Sequence, residues 1–374
     1  MDDILQSARR YEGWLRQQLD GDLVEEDIER KHRKMAWDNA FPFLRATYWR
    51  WAETVLHVCG DAADAPAVLA VGDIHLENFG TWRDADGRLA WGVNDFDEAA
   101  EMPYVLDLIR LATSALIAAT DASLAPAALC RAILKGYREG LSAPRPLILD
   151  RDLDWLRQLV VVSEKQRAKF WTKIADAEEE RAPAPYRRAL AAAMPEPGLQ
   201  LKTARRTAGL GSLGRPRWIA IADWRGAPVV REAKALVPSA WEWVNGGRGK
   251  LRCAEVAGGR YRAVDPWFRV EGNLALRRLS PNNRKIEAGD DVSVLLGPQM
   301  LQAMGLDLAS VHLGTGKPAA AVRRDFESRK SGWLHAAARK MAAAIRDDHA
   351  QWKAAQTEVG SSEAQTQRRR KPSQ

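Results

Sequence analysis

The chain has 374 residues, 46% of them apolar, and 56 Lys and Arg against 49 Asp and Glu give a formal charge of +7. That balance supplies a sizeable core and excludes wholesale disorder, and the length suits one large two-lobed domain or two ordinary ones. Three widely spaced cysteines, Cys59, Cys130 and Cys253, exclude a disulfide scaffold and a CxxC-type zinc site and fit a reducing cytoplasm.

Met1-Asp2-Asp3-Ile4-Leu5 lacks a basic n-region and an apolar h-region, so no signal peptide is expected. Ile4, Leu5, Ala8, Tyr11, Leu15 and Leu19 recur at helical spacing, and further helices are expected near Glu25–Met35 and around Phe43–Val58, after Pro42. Residues 1–60 therefore read as N-terminal helices. The apolar run Pro66–Val71 reads as a strand ending in Gly72-Asp73. Asn78–Trp82 and Leu89–Val93 flank the turn Asp84-Ala85-Asp86-Gly87 as a β-hairpin. Helix returns over 104–180, so 61–181 forms a hairpin-plus-helices unit. Its most apolar stretch, Val105 to Ala119, contains Asp107 and Arg110 and is shorter than the roughly 20 residues a membrane span needs. A cytoplasmic protein with no membrane partner is expected.

Residues 182–198, with Pro183, Pro185, Pro195 and Pro197, read as a linker; 199–285 read as β-rich and 286–353 as helical. Residues 354–374 read as a disordered basic tail. Residues 361–374 hold Arg368-Arg369-Arg370-Lys371 and one acid, Glu363, and contribute +3, leaving a mild +4 on the other 360. A nucleic-acid-binding protein that uses its 15 tryptophans as stacking platforms is the weakest reading. Trp49, Trp51, Trp155 and Trp218 fall within helix or strand patterns and read as core, so nucleic acid is not an expected partner.

The most informative stretch is Gly72-Asp73-Ile74-His75-Leu76-Glu77-Asn78, followed across the hairpin by Asn94-Asp95-Phe96-Asp97-Glu98. Asp73 and Asn78 have the D-x-x-x-x-N spacing of phosphoryl-transfer catalytic loops, where the Asp accepts the proton of the attacking hydroxyl and the Asn oxygen binds Mg²⁺. The hairpin returns Asp95 towards Asn78. Mg²⁺ takes one or two carboxylates plus substrate phosphates, so Asn78, Asp95 and Asp97 are candidate ligands. His75 has no second His or Cys at ligand spacing, and is read as a structural imidazole bonding the loop backbone rather than as a ligand.

Gly209-Leu210-Gly211-Ser212-Leu213-Gly214 is a G-x-G-x-x-G run, but Arg217–Ala222 after it alternates as a strand, so a Rossmann helix is excluded. A second strand follows and carries Arg231 and Lys234. Glycine loop, strand, turn and Lys-bearing strand is the phosphate-covering layout of protein kinases; an ordinary β-meander with a surface lysine is the competing reading. In an ordinary kinase this loop precedes the catalytic loop, whereas here it follows Asp73 by more than a hundred residues. Circular permutation would reconcile the order. It demands a helix near the chain's end that leads to the catalytic loop, and Gln299–His312 fits.

The first loop resembles the Gly-Asp-Leu-His-x-x-Asn loop of aminoglycoside-phosphotransferase and choline-kinase-like enzymes. Val93-Asn94-Asp95-Phe96-Asp97 is similar to their Ile-Asp-Phe-Asp metal segment, and Asp107-Leu108 to their downstream Asp-Leu. More closely, Phe41-Pro42-Phe43-Leu44-Arg45, Gly72–Gly80, Asn94–Glu98, Gly209–Gly214 and Arg231-Glu232-Ala233 resemble, in order, the motifs of the bacterial domain-of-unknown-function 2252 family, over about residues 34–315. The family's Lys falls at Arg231, with Lys234 three positions later. Three residues along a strand put the two on opposite faces, and Lys234 is favoured for the phosphates; its carboxylate partner (Glu232, Glu242 or Glu255) stays open.

The expectation is an α+β, circularly permuted, two-lobed protein-kinase-like fold, its β-rich nucleotide lobe following the catalytic helical lobe. The expected activity is an ATP- and Mg²⁺-dependent phosphotransferase acting on an unknown acceptor. Asp73 would be the base, with Asn78, Asp95 and Asp97 at the metal. Gly209, Gly211, Ser212 and Gly214 would cover the phosphates with Lys234 or Arg231, while His75, Arg45 and Asp107 brace the loop. A nucleotide-binding pseudokinase-type regulator and an AMP-transferase are the alternatives.

Overall fold

The structure, a computed structural model, describes residues 2–119, 125–316 and 319–370, without the side chains of 288–290 and 358–370. It is a mixed α+β protein. The N-terminal helices are α1 (Ile4–Gln18), α2 (Glu25–Met35), α3 (Ala40–Ala46) and α4 (Tyr48–Val58). Asp3 caps α1 by accepting the Gln6 amide at 2.8 Å. The third expected helix is two. The chain leaves helical geometry at Thr47, whose hydroxyl donates to the Phe43 carbonyl at 2.7 Å, the back-bonding that bends helices. Pro42 is tolerated because it lies in the first turn of α3.

β1 (Ala67–Ala70) pairs antiparallel with β4 (Ala100–Pro103), and the hairpin forms as expected from β2 (Phe79–Arg83) and β3 (Leu89–Val93), with β5 (Leu147–Ile148) at its edge. In the hairpin turn, Asp84 accepts the amides of Asp86 and Arg88. α5 (Tyr104–Ala118) is buried along its whole length, and α6 (Pro126–Ser142), α7 (Leu149–Asp152), α8 (Asp154–Val160) and α9 (Glu164–Ala175) follow.

The expected linker instead contains α10 (Ala184–Ala192). Pro183 and Pro185 stand at its start, where a missing amide costs nothing and φ is already set. The five-stranded sheet is antiparallel in the order β6 (Lys202–Arg205), β7 (Arg217–Trp224), β8 (Ala227–Ala235), β10 (Leu274–Leu279), β9 (Arg269–Glu271). α11 (Ala240–Asn245) and α12 (Cys253–Ala257) lie between β8 and β9. Tyr186, Leu190 and Met194 pack α10 on Trp218, Ala233 and Leu276, covering one face of this sheet.

The chain continues through α13 (Ala288–Leu296), α14 (Pro298–Leu313), α15 (Ala319–Ser328) and α16 (Trp333–Arg370). α16 runs on through the expected tail as far as Arg370. Lys371 lies outside the described residues. Trp49, Trp51 and Trp218 are buried and Trp155 packs against the core, so these four offer no stacking platform. Among the described residues no helix is long and apolar enough to cross a membrane.

Candidate active site

The hairpin register builds the acidic loop. Phe79 faces Val93, and the Asn94 amide donates to the Asn78 carbonyl at 3.1 Å, which carries Asp95 back beside Asn78. Asn78 Nδ2 donates to the carbonyls of Asp73 (2.9 Å) and Asp95 (3.2 Å). A carbonyl only accepts, so these bonds fix the amide's orientation. They leave Oδ1 buried with no hydrogen-bond partner.

Two helices hold this loop from behind. Asp107 of α5 accepts the amides of Val71 (2.8 Å) and Gly72 (3.0 Å), and meets His312 Nε2 of α14 at 2.9 Å. His312 Nδ1 lies 2.8 Å from the Tyr137 hydroxyl. Asp307, also on α14, accepts the Val93 amide at 2.8 Å and pairs with Arg262 at 3.0 Å. The helix expected to lead towards the catalytic loop thus bonds Val93 directly and reaches the Val71–Gly72 end through Asp107.

Asp73 Oδ1 accepts from Arg110 Nε at 3.0 Å and from Nη2 of the same guanidinium, which stacks on Tyr48 and Trp51 and also bonds the Leu44 carbonyl. Asp73 Oδ2 faces the glycine loop, where a Cβ on Gly211 would approach it to 3.2 Å. Burial raises the Asp73 carboxyl above the usual range, with Arg110 pulling the other way. Arg45 pairs with Glu77 inside the loop. His75 Nδ1 accepts the Glu77 amide at 3.2 Å, a backbone bond rather than a ligand's geometry, and burial holds its imidazole well below 6.5.

The glycine run lies over this cluster. Gly209, Gly211 and Ser212 line a cavity of about 80 Å³ together with Asp73, Asn78 and Asp95. Leu210 and Leu213 are buried in the core, so the loop is anchored rather than free. α2 clamps it from outside: Lys31 Nζ donates to the Gly211 carbonyl at 3.3 Å, and the Val24 amide to the Gly214 carbonyl at 2.9 Å. Gly214 has φ +94°, and a Cβ there would meet Ile28 Cδ1 at 2.4 Å. Gly214→Ala is therefore expected to destabilise the chain by about 1–3 kcal/mol, from strain and overpacking together. Urea denaturation measures it; an unchanged midpoint would mean that α2 yields freely.

β8 settles which cation faces the site. Lys234 is fully buried, pairs with Asp97 and lies 3.5 Å from Asp95 Oδ1. Arg231 is on the opposite face, stacked 4.2 Å over Trp267 and donating to the Ala193 carbonyl at 2.8 Å, and is removed from the site. The partner sought among Glu232, Glu242 and Glu255 is none of these but the acidic pair itself. Glu232 shares the Lys234 face yet binds Arg206, Arg217 and Arg277. The pair is electrostatically split. Burial would raise Asp95, but Lys234, Lys285 and Arg277 outweigh it and hold it well below the usual range; burial and Asp95 push Asp97 up.

Several residues of the site carried no role in the sequence reading. Arg110 had a signal, since Asp107-x-x-Arg110 places two charges one turn apart on an otherwise apolar helix. Glu98 ends the quoted acidic motif; it pairs with Arg215, directly after Gly214, and accepts the Ala240 amide at 2.7 Å. Lys31 and Lys285 had none.

Residues 23–193 match the model of a family described as uncharacterized protein conserved in bacteria (DUF2252). The match starts earlier than the resemblance over 34–315 and stops before the glycine loop, so it covers the acidic loop and Asp107 but neither Gly209–Gly214 nor Lys234. No curated protein and no solved structure matches the chain.

Among the described residues no group of three His, Cys, Asp or Glu is placed to hold a metal ion. That leaves room for Mg²⁺, which needs only one or two carboxylates beside phosphate and water oxygens. The orphaned Asn78 Oδ1, with Asp95 and Asp97, fits such a donor set.

Proposed function

We propose that the chain is an ATP- and Mg²⁺-dependent kinase-like phosphotransferase, circularly permuted and two-lobed, that acts on an acceptor hydroxyl. The observation that carries this reading is the glycine run lying over Asp73, Asn78 and Asp95 while Lys234 reaches Asp95 and its neighbour Asp97. A glycine loop and a Lys on the next but one strand serve the phosphates in protein kinases, and β6, β7 and β8 supply that order. The contacts of His312 with Asp107 and of Asp307 with Val93 support the permutation, since α14 follows the glycine loop in sequence yet backs the acidic loop.

Asp73 would take the acceptor's proton on Oδ2, with Arg110 fixing the other oxygen. A carboxylate raised by burial but still ionised is a better base at neutral pH than an ordinary one. Asn78 Oδ1 and Asp95 would hold Mg²⁺, which neutralises phosphate charge when bound. Lys234 would leave the carboxylates for phosphate oxygens. The backbone of Gly209–Gly214 approaches closely because no side chains intervene at its glycines.

Incubation of the full chain with ATP, Mg²⁺ and a cell extract, followed by mass spectrometry, tests this. A phosphoryl increment on an acceptor or on the chain is expected. An AMP increment moves the reading to nucleotidyl transfer, and neither product with intact ATP binding leaves a pseudoenzyme.

A further inference from the structure

Beside the 80 Å³ cavity lies a second of about 500 Å³, and Arg45, Asp95, Gly209 and Lys285 line both. Nine arginines and lysines line the second against four carboxylates, and of the nine Arg45, Arg262 and Arg269 are paired outside it with Glu77, Asp307 and Glu271. One wall is the sheet face that carries Lys234. There, fully buried Glu232 gathers Arg206, Arg217 (3.0 Å) and Arg277 (3.4 Å), and one carboxylate cannot neutralise three guanidiniums.

Two further cations lack a direct carboxylate partner among the described residues. Lys285, between the cavities, forms no ion pair among the described residues. Burial with Arg277, Arg45 and Lys234 pushes its ammonium down to about 8 against the pull of Asp95. Arg284, which lines the same cavity, also lacks an ion pair among the described residues, and its guanidinium donates only to the neutral Gln166 side chain. Trp82, Phe96, Val264 and Phe268 give the cavity an apolar side as well. Forked donors in this number ask for phosphate.

We propose that the second cavity is an oligophosphate compartment, taking a diphosphate or longer group of a ligand whose reacting phosphorus lies at Asp95 and Asn78. The proposal rests on the kinase-like reading and names the chemistry of its substrate. Two sources carry that chemistry. One is a phosphorylated acceptor. The other is the nucleotide's own β- and γ-phosphates, which would put the α-phosphorus at the acidic loop. The acceptor oxygen would then bond to that phosphorus, its proton would pass to Asp73, and the α–β bridging oxygen would leave with pyrophosphate.

Titration of the full chain with inorganic tripolyphosphate, followed by calorimetry, tests the compartment without nucleoside or turnover. Saturable binding that weakens with salt is expected. Lys285→Gln and Arg284→Gln break no ion pair among the described residues, so both should fold. Each should weaken binding by about tenfold or more, the loss of one charge-assisted contact. No saturable binding, or wild-type affinity in both variants, overturns the proposal. Displacement of tripolyphosphate by ATP–Mg²⁺ identifies the nucleotide tail as the source, and simultaneous binding identifies the acceptor. ATP–Mg²⁺ binding is measured alone as well. Its survival while tripolyphosphate fails sinks this inference only, and its failure while tripolyphosphate binds sinks the nucleotide reading.

Discussion

Replacing Asp73 with Asn is expected to lower turnover by about 10²–10⁴-fold, the usual contribution of a positioned base, while ATP–Mg²⁺ still binds. The substitution keeps the side chain's shape but strips the charge that answers Arg110, which is itself almost fully buried. Some stability will be lost, so ATP affinity is the control that the fold survives. Retained full turnover would sink the assignment. The pH profile gives an independent sign. The base works only when ionised, and burial raises Asp73, so kcat/KM should fall on the acid side at a pH above the ordinary Asp value of about 3.9. Arg110 opposes that rise, so Arg110→Met should move the acid limb to higher pH still. A limb that stays in place would mean another group is titrating.

The second large effect is expected at Lys234. Lys234→Ala leaves Asp95 and Asp97 facing each other without their ammonium, and breaking a buried pair in this way costs about 3–5 kcal/mol. The melting temperature in EDTA should drop sharply. Added Mg²⁺ should restore more of it in the variant than in the parent, because a divalent cation then serves carboxylates that the lysine no longer holds. Equal Mg²⁺ shifts in the two proteins would argue against a metal at this pair. Arg231→Gln is the internal contrast. It disturbs the contacts with Trp267 and Ala193 on the far face, and should leave ATP affinity unchanged.

Much of this arrangement was legible because it is local. The hairpin turn at Asp84–Gly87 fixes a register, and the register alone returns Asp95 to Asn78. Strand alternation separates Arg231 from Lys234 just as directly. Other features depend on contacts between distant segments. That the lysine's partner is the acidic pair, not a glutamate on its own strand or the helices after it, follows from how the sheet meets the loop. The hold of α2 on the glycine loop joins residues about 180 apart, with only a buried lysine to mark it. Prolines misled at 182–198, where the same residue type that ends helices begins one.

The backing of the acidic loop by α14 also bears on assembly. Asp107 and His312 are 205 positions apart, and Val93 and Asp307 are 214 apart. Contacts of such separation form late, because the intervening chain's entropy is lost before they repay it. During synthesis, the first loop can meet Arg110 and Asp107 early but must wait for α14 until nearly the whole chain has emerged. A fragment cut at the boundary of the family match, after residue 193, would contain the candidate base but neither α14 nor the glycine loop.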